Sequence, residues 1–236
     1  MRKLIVIIVI LLTFLSTFSQ FLKVGFLLGS PYAFWKGEKF GGIDYDILKK
    51  VVSDMDYQLE IYILPFTALK PEILNVLNLD IVAGGIHMTE ERKKTFSFSI
   101  PYIQSGLAIV LRNGLQWNGD VEKITFAVKE SATGQKVIQD WLKEGKKVKY
   151  KTFVSNEEIL ANLLTKKIDA AFFDYVNALY LSRIYGFSIY KDLIYKIDIG
   201  YVILNKSIEK EFDEKLKKIL DTYVKQVITS YVGTWK

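Results

Sequence analysis

The chain has 236 residues, 50% of them hydrophobic and 25% charged, with a net charge of +6, one histidine and no cysteine. This length and apolar content are enough for a sizeable core and exclude a disordered chain. The missing cysteine excludes disulfides, thiolate metal sites, a cysteine nucleophile and a lipidated cysteine anchor. Arg2 and Lys3, which precede the first apolar run, contribute two units of that net charge. The remaining +4 is spread along the sequence rather than clustered as in nucleic-acid binders.

Residues 1–19 read as an export signal, with a basic start, the apolar run LIVIIVILLTFL, and small residues Thr17 and Ser19 ahead of a cut after Ser19. The run is short of the ~20 apolar residues that span a bilayer, so cleavage is favoured over a retained anchor. A freely diffusing periplasmic or secreted protein is expected. LKVGFLL (22–28) is strand-like, and from Asp46 the apolar positions Ile47, Leu48, Val51, Val52 and Met55 fall on one helix face. EIYILPF then reads as a strand, 71–76 as a short helix and 80–86 as a strand, an order that argues for a parallel α/β sheet with right-handed crossovers.

A second series follows the first. It runs through an extended 107–112, a strand at 124–129, a helix at 132–145 ended by Gly145, and a strand at 148–153. The capping box Ser155-x-x-Glu158 opens another helix, 168–174 is a strand, and the next helix ends at Gly186. IDIGYVILN (197–205) is a strand, and the C-terminal helix carries Phe212, Leu216, Ile219, Leu220, Tyr223, Val224, Val227 and Ile228 as a core stripe. Two lobes are expected, one formed by 20–110 with 202–236 and the other by 111–201. The chain would cross between them near Val110-Leu111-Arg112 and near Gly200-Tyr201, which makes a hinge.

Enzyme chemistry is poorly supplied. There is no G-x-S-x-G, H-E-x-x-H, phosphate loop or G-x-G-x-x-G, and neither cofactor nor metal is expected. Holding a small zwitterion such as an amino acid suits the chain better. Its carboxylate wants an arginine and free N–H groups at a helix start, and its ammonium wants a carboxylate and carbonyl oxygens. The stretch DIVAGGIHMTEERKKTFSFSIPY (80–102) supplies glycines at a strand end, Thr89 as a helix cap, and then Arg92. Ligands of open α/β sheets bind outside such strand ends.

The same stretch resembles the extracellular solute-binding proteins of ABC amino-acid importers, a family with a two-lobe, type II periplasmic-binding-protein fold. Asp80, Gly85, Thr89, Glu91, Arg92, Phe98, Ser99, Pro101 and Tyr102 stand where that family has D-x-x-x-A-G-M-T-I-T-x-E-R followed by F-S-x-P-Y. Pro31-Tyr32-Ala33-Phe34, Gly42 to Ile47, Val128 to Gly134, Asp169 to Asp174 and Gly200-Tyr-Val are similar to further family motifs in the same order. The resemblance implies mixed, mostly parallel sheets flanked by helices, a monomer, and delivery of ligand to an inner-membrane permease.

It also implies roles for individual residues. Arg92 would grip an α-carboxylate, Thr133 would add its N–H, Asp174 would take the α-ammonium, and Gly85 and His87 would offer backbone groups. Plainer roles stand beside these: a solvated helix charge for Arg92, a helix cap for Asp174, a first-turn residue for Thr133, and a histidine satisfied by nearby backbone for His87. Tyr32 or Phe34 and, opposite, Phe66 would form aromatic walls, with Phe173 and Lys129 lining the side-chain space unless Lys129 is a surface lysine. The loop 26–30 lacks the carboxylate common in members that bind basic amino acids, so a neutral polar or acidic side chain is favoured. The alternatives are a periplasmic dehydratase on the same fold and a binder of some other small solute.

Overall fold

A nearly continuous buried run carries the first strand into a sheet: β1 (Gln20–Leu27) places Leu22, Val24 and Phe26 in one core cluster and Leu27 in another. The computed structural model describes residues 20–234, and the expected export signal lies outside them. After a short hairpin, β2 (Phe34–Lys36) and β3 (Lys39–Gly41), comes α1 (Ile43–Asp54), which buries Ile43, Ile47, Leu48, Val51 and Val52 as the periodicity requires. β4 (Tyr57–Leu64), a 3-10 turn at Phe66–Ala68, α2 (Pro71–Leu74), β5 (Ile81–Ala83) and α3 (Glu90–Thr95) complete the first run.

The second run is β6 (Ile103–Leu111), β7 (Thr125–Lys129), α4 (Thr133–Lys143), β8 (Lys149–Phe153), α5 (Asn156–Leu164), β9 (Ala170–Asp174), α6 (Tyr175–Tyr185) and β10 (Ser188–Ile199). The chain then returns through β11 (Val202–Ile203), α7 (Glu209–Ile219), a π-helical turn at Leu220–Val224 and α8 (Lys225–Val232). Two sheets result, ordered β11-β5-β1-β4 and β10-β6-β9-β7-β8. β1 runs parallel to β4 and β5, and β7 parallel to β8 and β9, while β11, β6 and β10 are antiparallel additions.

Three expectations need correction. The first crossing does not lie at Val110-Leu111-Arg112, because all of β6 is built into the second sheet, paired with β9 and β10. It lies just before Ile103, where Ser99 N donates to Tyr201 O and Tyr102 N to Ile199 O, so the outgoing and returning chains run side by side. The expected strand 197–205 is broken at Gly200-Tyr201 into β10, in the second sheet, and β11, in the first. The C-terminal helix is interrupted by its π turn, yet its apolar stripe still packs on α1 and β1, with Phe212, Leu216, Val224 and Ile228 fully or nearly fully buried.

Candidate ligand-binding cleft

The strands lining the gap between the two sheets point their carboxyl ends into it, which is where open α/β sheets hold ligands. Loops after β1, β4 and β5 bring Tyr32, Phe66, Gly85 and His87, and α3 brings Arg92. From the other side the ends of β7 and β9 and the start of α4 bring Lys129, Phe173, Asp174 and Thr133. All nine residues singled out from the sequence therefore line one cavity of about 70 Å³. That is well below the 300–1,000 Å³ of typical small-molecule sites, and it fits lobes that are drawn together. Of the two aromatic candidates, Tyr32 lines the cavity, whereas Phe34 packs on Tyr180 and Tyr231.

A buried carboxylate shapes the loop after β5. Asp44, 1% exposed, accepts N–H groups from Gly84 (2.6 Å) and Gly85 (2.9 Å) and the hydroxyl of Tyr102. Burial pushes its carboxyl up to about 6 despite those three donors. Gly85 itself adopts φ +65°, and a Cβ there would lie 2.4 Å from the Tyr32 ring. Gly85→Ala is therefore expected to cost about 2–4 kcal/mol, by backbone strain and by displacement of a buried ring, readable as a lower urea midpoint.

Two cations flank Phe66. Thr89 Oγ1 accepts the Arg92 N–H at 3.2 Å and so starts α3 where the guanidinium can enter the cleft. Arg92 donates to His87 O (3.1 Å) and to Ser131 O across the cleft (3.4 Å), and stacks 5.5 Å from the Phe66 centroid. Lys129 Nζ lies 3.9 Å from the same centroid. Neither cation has a carboxylate within ion-pair distance among the described residues. Burial lowers Arg92 to about 10; it lowers Lys129 to about 8, with Arg92 adding to the drop and Glu157 partly offsetting it. Lys129 is thus a cleft residue and not a solvated one.

At the other end stands Asp174, the only carboxylate among the lining residues. Its Oδ1 accepts the Tyr32 hydroxyl and caps α6 through Val176 N (3.0 Å) and Asn177 N (3.4 Å). Its Oδ2 accepts from Ser105 Oγ (2.6 Å) and pairs with His87 Nε2 (2.9 Å), while His87 Nδ1 meets Thr133 Oγ1 at 3.1 Å. Burial alone would raise the carboxyl; the hydrogen bonds and charge from His87, with Ser105 and Tyr32, outweigh it and hold the group below its ordinary value. His87 therefore engages through its ring, reaching from the first lobe to two residues of the second.

Sequence reasoning missed Asn156 and Asn177, which also line the cavity. Neither stood out because helix-start asparagines are common caps, and nothing in their spacing marks them.

The family model for bacterial extracellular solute-binding proteins, family 3, matches residues 22–230, nearly the whole described chain. The chain belongs to this family. Among curated relatives, "Probable amino-acid-binding protein YxeM" of Bacillus subtilis is 27% identical over 154 residues, covering 63% of this chain and 55% of that protein. An arginine-binding periplasmic protein of Mannheimia haemolytica is 29% identical over 140 residues, covering 59% and 55%. The chain spans about half the length of the curated relatives it matches. An ancestral arginine-binding protein bound to glutamine superposes with a TM-score of 0.78 at 24% identity, over 91% of this chain and 98% of that one. This likeness establishes the type II periplasmic-binding-protein fold for the family 3 chain.

Proposed function

We propose that the protein captures a free amino acid with a neutral polar or acidic side chain in the periplasm and hands it, without chemistry, to an ABC permease. The observation that carries this reading is the pair of cations, Arg92 and Lys129, beside Phe66, neither in an ion pair among the described residues, in a cleft whose lining has a single carboxylate at its far end. Arg92 receives the α-carboxylate, bidentate recognition being what a guanidinium does best. Thr133 and Gly85 edge that site, and Asp174 provides the counter-charge for the ammonium. Tyr32, Phe66 and Phe173 enclose the ligand body, and Lys129 meets the side chain.

The relative from Mannheimia haemolytica is named for arginine, but a second cation in this cleft would face Lys129 with no carboxylate to itself, since Asp174 already accepts five donors. Burying an unpaired charge costs several kcal/mol. Capture works through closure: a ligand that touches both lobes favours the closed form by its differential affinity for that form. The segments 99–103 and 199–201 that join the two sheets serve as the hinge.

A thermal-shift panel of the common amino acids on unfolded and refolded protein tests the reading. Ligand at about a thousand times its Kd adds about 4 kcal/mol, a rise of several degrees. A rise with glutamine, glutamate, asparagine or aspartate supports the assignment. A rise with only lysine or arginine overturns the side-chain preference, and no rise with any amino acid overturns the function.

The lowered Lys129 gives a pH prediction. Above about 8 the free protein has lost this proton, and an anion bound beside the ammonium must restore it. Affinity for an acidic amino acid is therefore steady below pH 8 and falls above it, by up to about tenfold per unit. Calorimetric titration at pH 7, 8 and 9 should show the fall in the wild type and a shallower one in Lys129→Met, which leaves only the titration of the ligand's own ammonium.

A further inference from the structure

An unpaired sheet edge offers a row of N–H and C=O groups to another strand, and folds usually blunt it by shortness, lysine, proline or a bulge. Three of the four edges of the two main sheets are blunted in this way. β11 is two residues long and is bridged at Val202 by Phe98. β8 carries exposed Lys149 and Lys151, and β10 carries exposed Lys196 and the register shift between Tyr190 and Tyr195.

β4 has none of these protections. It is an outer strand of eight residues, paired with β1 in unbroken register from Gln20 opposite Tyr57 to Leu27 opposite Leu64, and its other side has no partner strand among the described residues. Its sequence YQLEIYIL has no lysine, arginine or proline and a single charge, Glu60. The register with β1 puts Leu59, Ile61 and Ile63 on the face of Leu22, Val24 and Phe26. A core row therefore runs out to the edge and ends in Ile61 and Ile63, which are 40% and 41% exposed. The opposite face of the edge presents Glu60 and Tyr62, whose hydroxyl donates to the carboxylate at 2.6 Å.

We propose that β4 is a self-association edge at which two copies of this chain pair antiparallel, joining their four-stranded first sheets into one continuous sheet. The occupant follows from the strand's self-complementarity about a two-fold axis. With the axis at Ile61, Ile61 faces its own mate, Leu59 faces Ile63, and Glu60 faces Tyr62, so apolar meets apolar and each phenol meets a carboxylate across the strands. The neutral Gln58 meets Leu64 only at the ends. An axis at Glu60 would set two carboxylates together, and one at Tyr62 would set Glu60 against Leu64. An axis between two residues would set the apolar row against the polar one. A pairing on one strand belongs to the small, transient class of interfaces, so the dimer is concentration-dependent. It departs from the monomer that the family resemblance implies, and it does not depend on what the cleft binds.

Sedimentation of the purified protein from micromolar to near-millimolar concentration tests the proposal. The average mass should climb from that of one chain towards that of two. Ile61→Lys, which seats two lysines face to face on the axis, should stay at one chain with an unchanged thermal melt; Ile63→Lys is the second variant should the first fold poorly. Because the chain has no cysteine, Ile61→Cys reads the axis directly. Facing Cα atoms about 4.5–5.5 Å apart lie within disulfide reach. Mild oxidation should therefore link two Ile61→Cys chains about tenfold faster, or more, than two Val76→Cys chains, since pairing raises the effective concentration of the thiols. Val76 is 78% exposed and lies outside β4. A single-chain mass at every concentration, growth beyond two chains, dimers that persist in folded Ile61→Lys, or equal linking rates for the two cysteine variants would overturn the proposal.

Discussion

Arg92→Ala is expected to abolish detectable amino-acid binding while leaving the fold as stable as before, or slightly more so. Removing one partner of a buried charge-assisted pair costs about 3–5 kcal/mol, a loss of a hundredfold to several thousandfold in affinity. The opposite sign for stability follows from where the guanidinium sits. Burial lowers it to about 10, with the nearby charge of Glu91 offsetting only part of that cost, and among the described residues no carboxylate lies within ion-pair distance of it. Its bonds to His87 O and Ser131 O and its stacking on Phe66 recover part of that cost. Arg92→Lys should bind weakly, because an ammonium keeps the charge and loses the bidentate fork. Calorimetry paired with thermal melts separates the two effects; a variant with lost binding and a melting temperature lowered by ten degrees would mean that Arg92 is structural instead.

The largest stability effect is expected at Asp44, which sequence reading did not connect to the cleft. Asp44→Ala strands the N–H groups of Gly84 and Gly85 and the hydroxyl of Tyr102, whose ring stacks 4.8 Å from that of Tyr201. At about 1–3 kcal/mol for each buried orphan, partly offset by relief of the desolvated charge, the loss is about 3–5 kcal/mol, or roughly 10 °C in melting temperature. Because these glycines set the position of His87 and Arg92, ligand affinity should fall with stability. The pH dependence has a definite sign. The folded carboxyl titrates near 6 against 3.8 for the free group, so between about pH 4 and 6 the native state holds a proton that the unfolded chain has released. Stability from this residue therefore falls as pH rises through that window, by up to about 3 kcal/mol. The lowered carboxyl of Asp174 acts in the opposite sense and below that window, where its stabilising contribution is lost as pH falls. Asp44→Asn should flatten the slope between pH 4 and 6, and an unchanged slope would assign it to other groups.

The succession of strands and helices, and nine residues that line one cavity, could be read because they rest on local signals: apolar periodicity, glycines at strand ends, and an ordered series of short motifs. What the sequence did not show depends on partners distant along the chain. β6 joined the second sheet because its antiparallel pairing with the twelve-residue β10 is long-range, and β10, interrupted by a register shift between Tyr190 and Tyr195, carries no clean alternation. Asp174 could be seen as both a cap and a carboxylate in the cleft; that His87, Ser105 and Tyr32 saturate it required side chains from both lobes to be placed together.

The central claim is that this cleft takes an amino acid by its carboxylate and rejects a cationic side chain. Calorimetric titration of refolded protein with glutamate, glutamine, lysine and arginine at pH 7 tests it most directly. Micromolar or tighter binding of glutamate or glutamine, with lysine and arginine at least a hundredfold weaker, is the predicted result. Tight binding of lysine or arginine, with glutamate and glutamine inert, would contradict it.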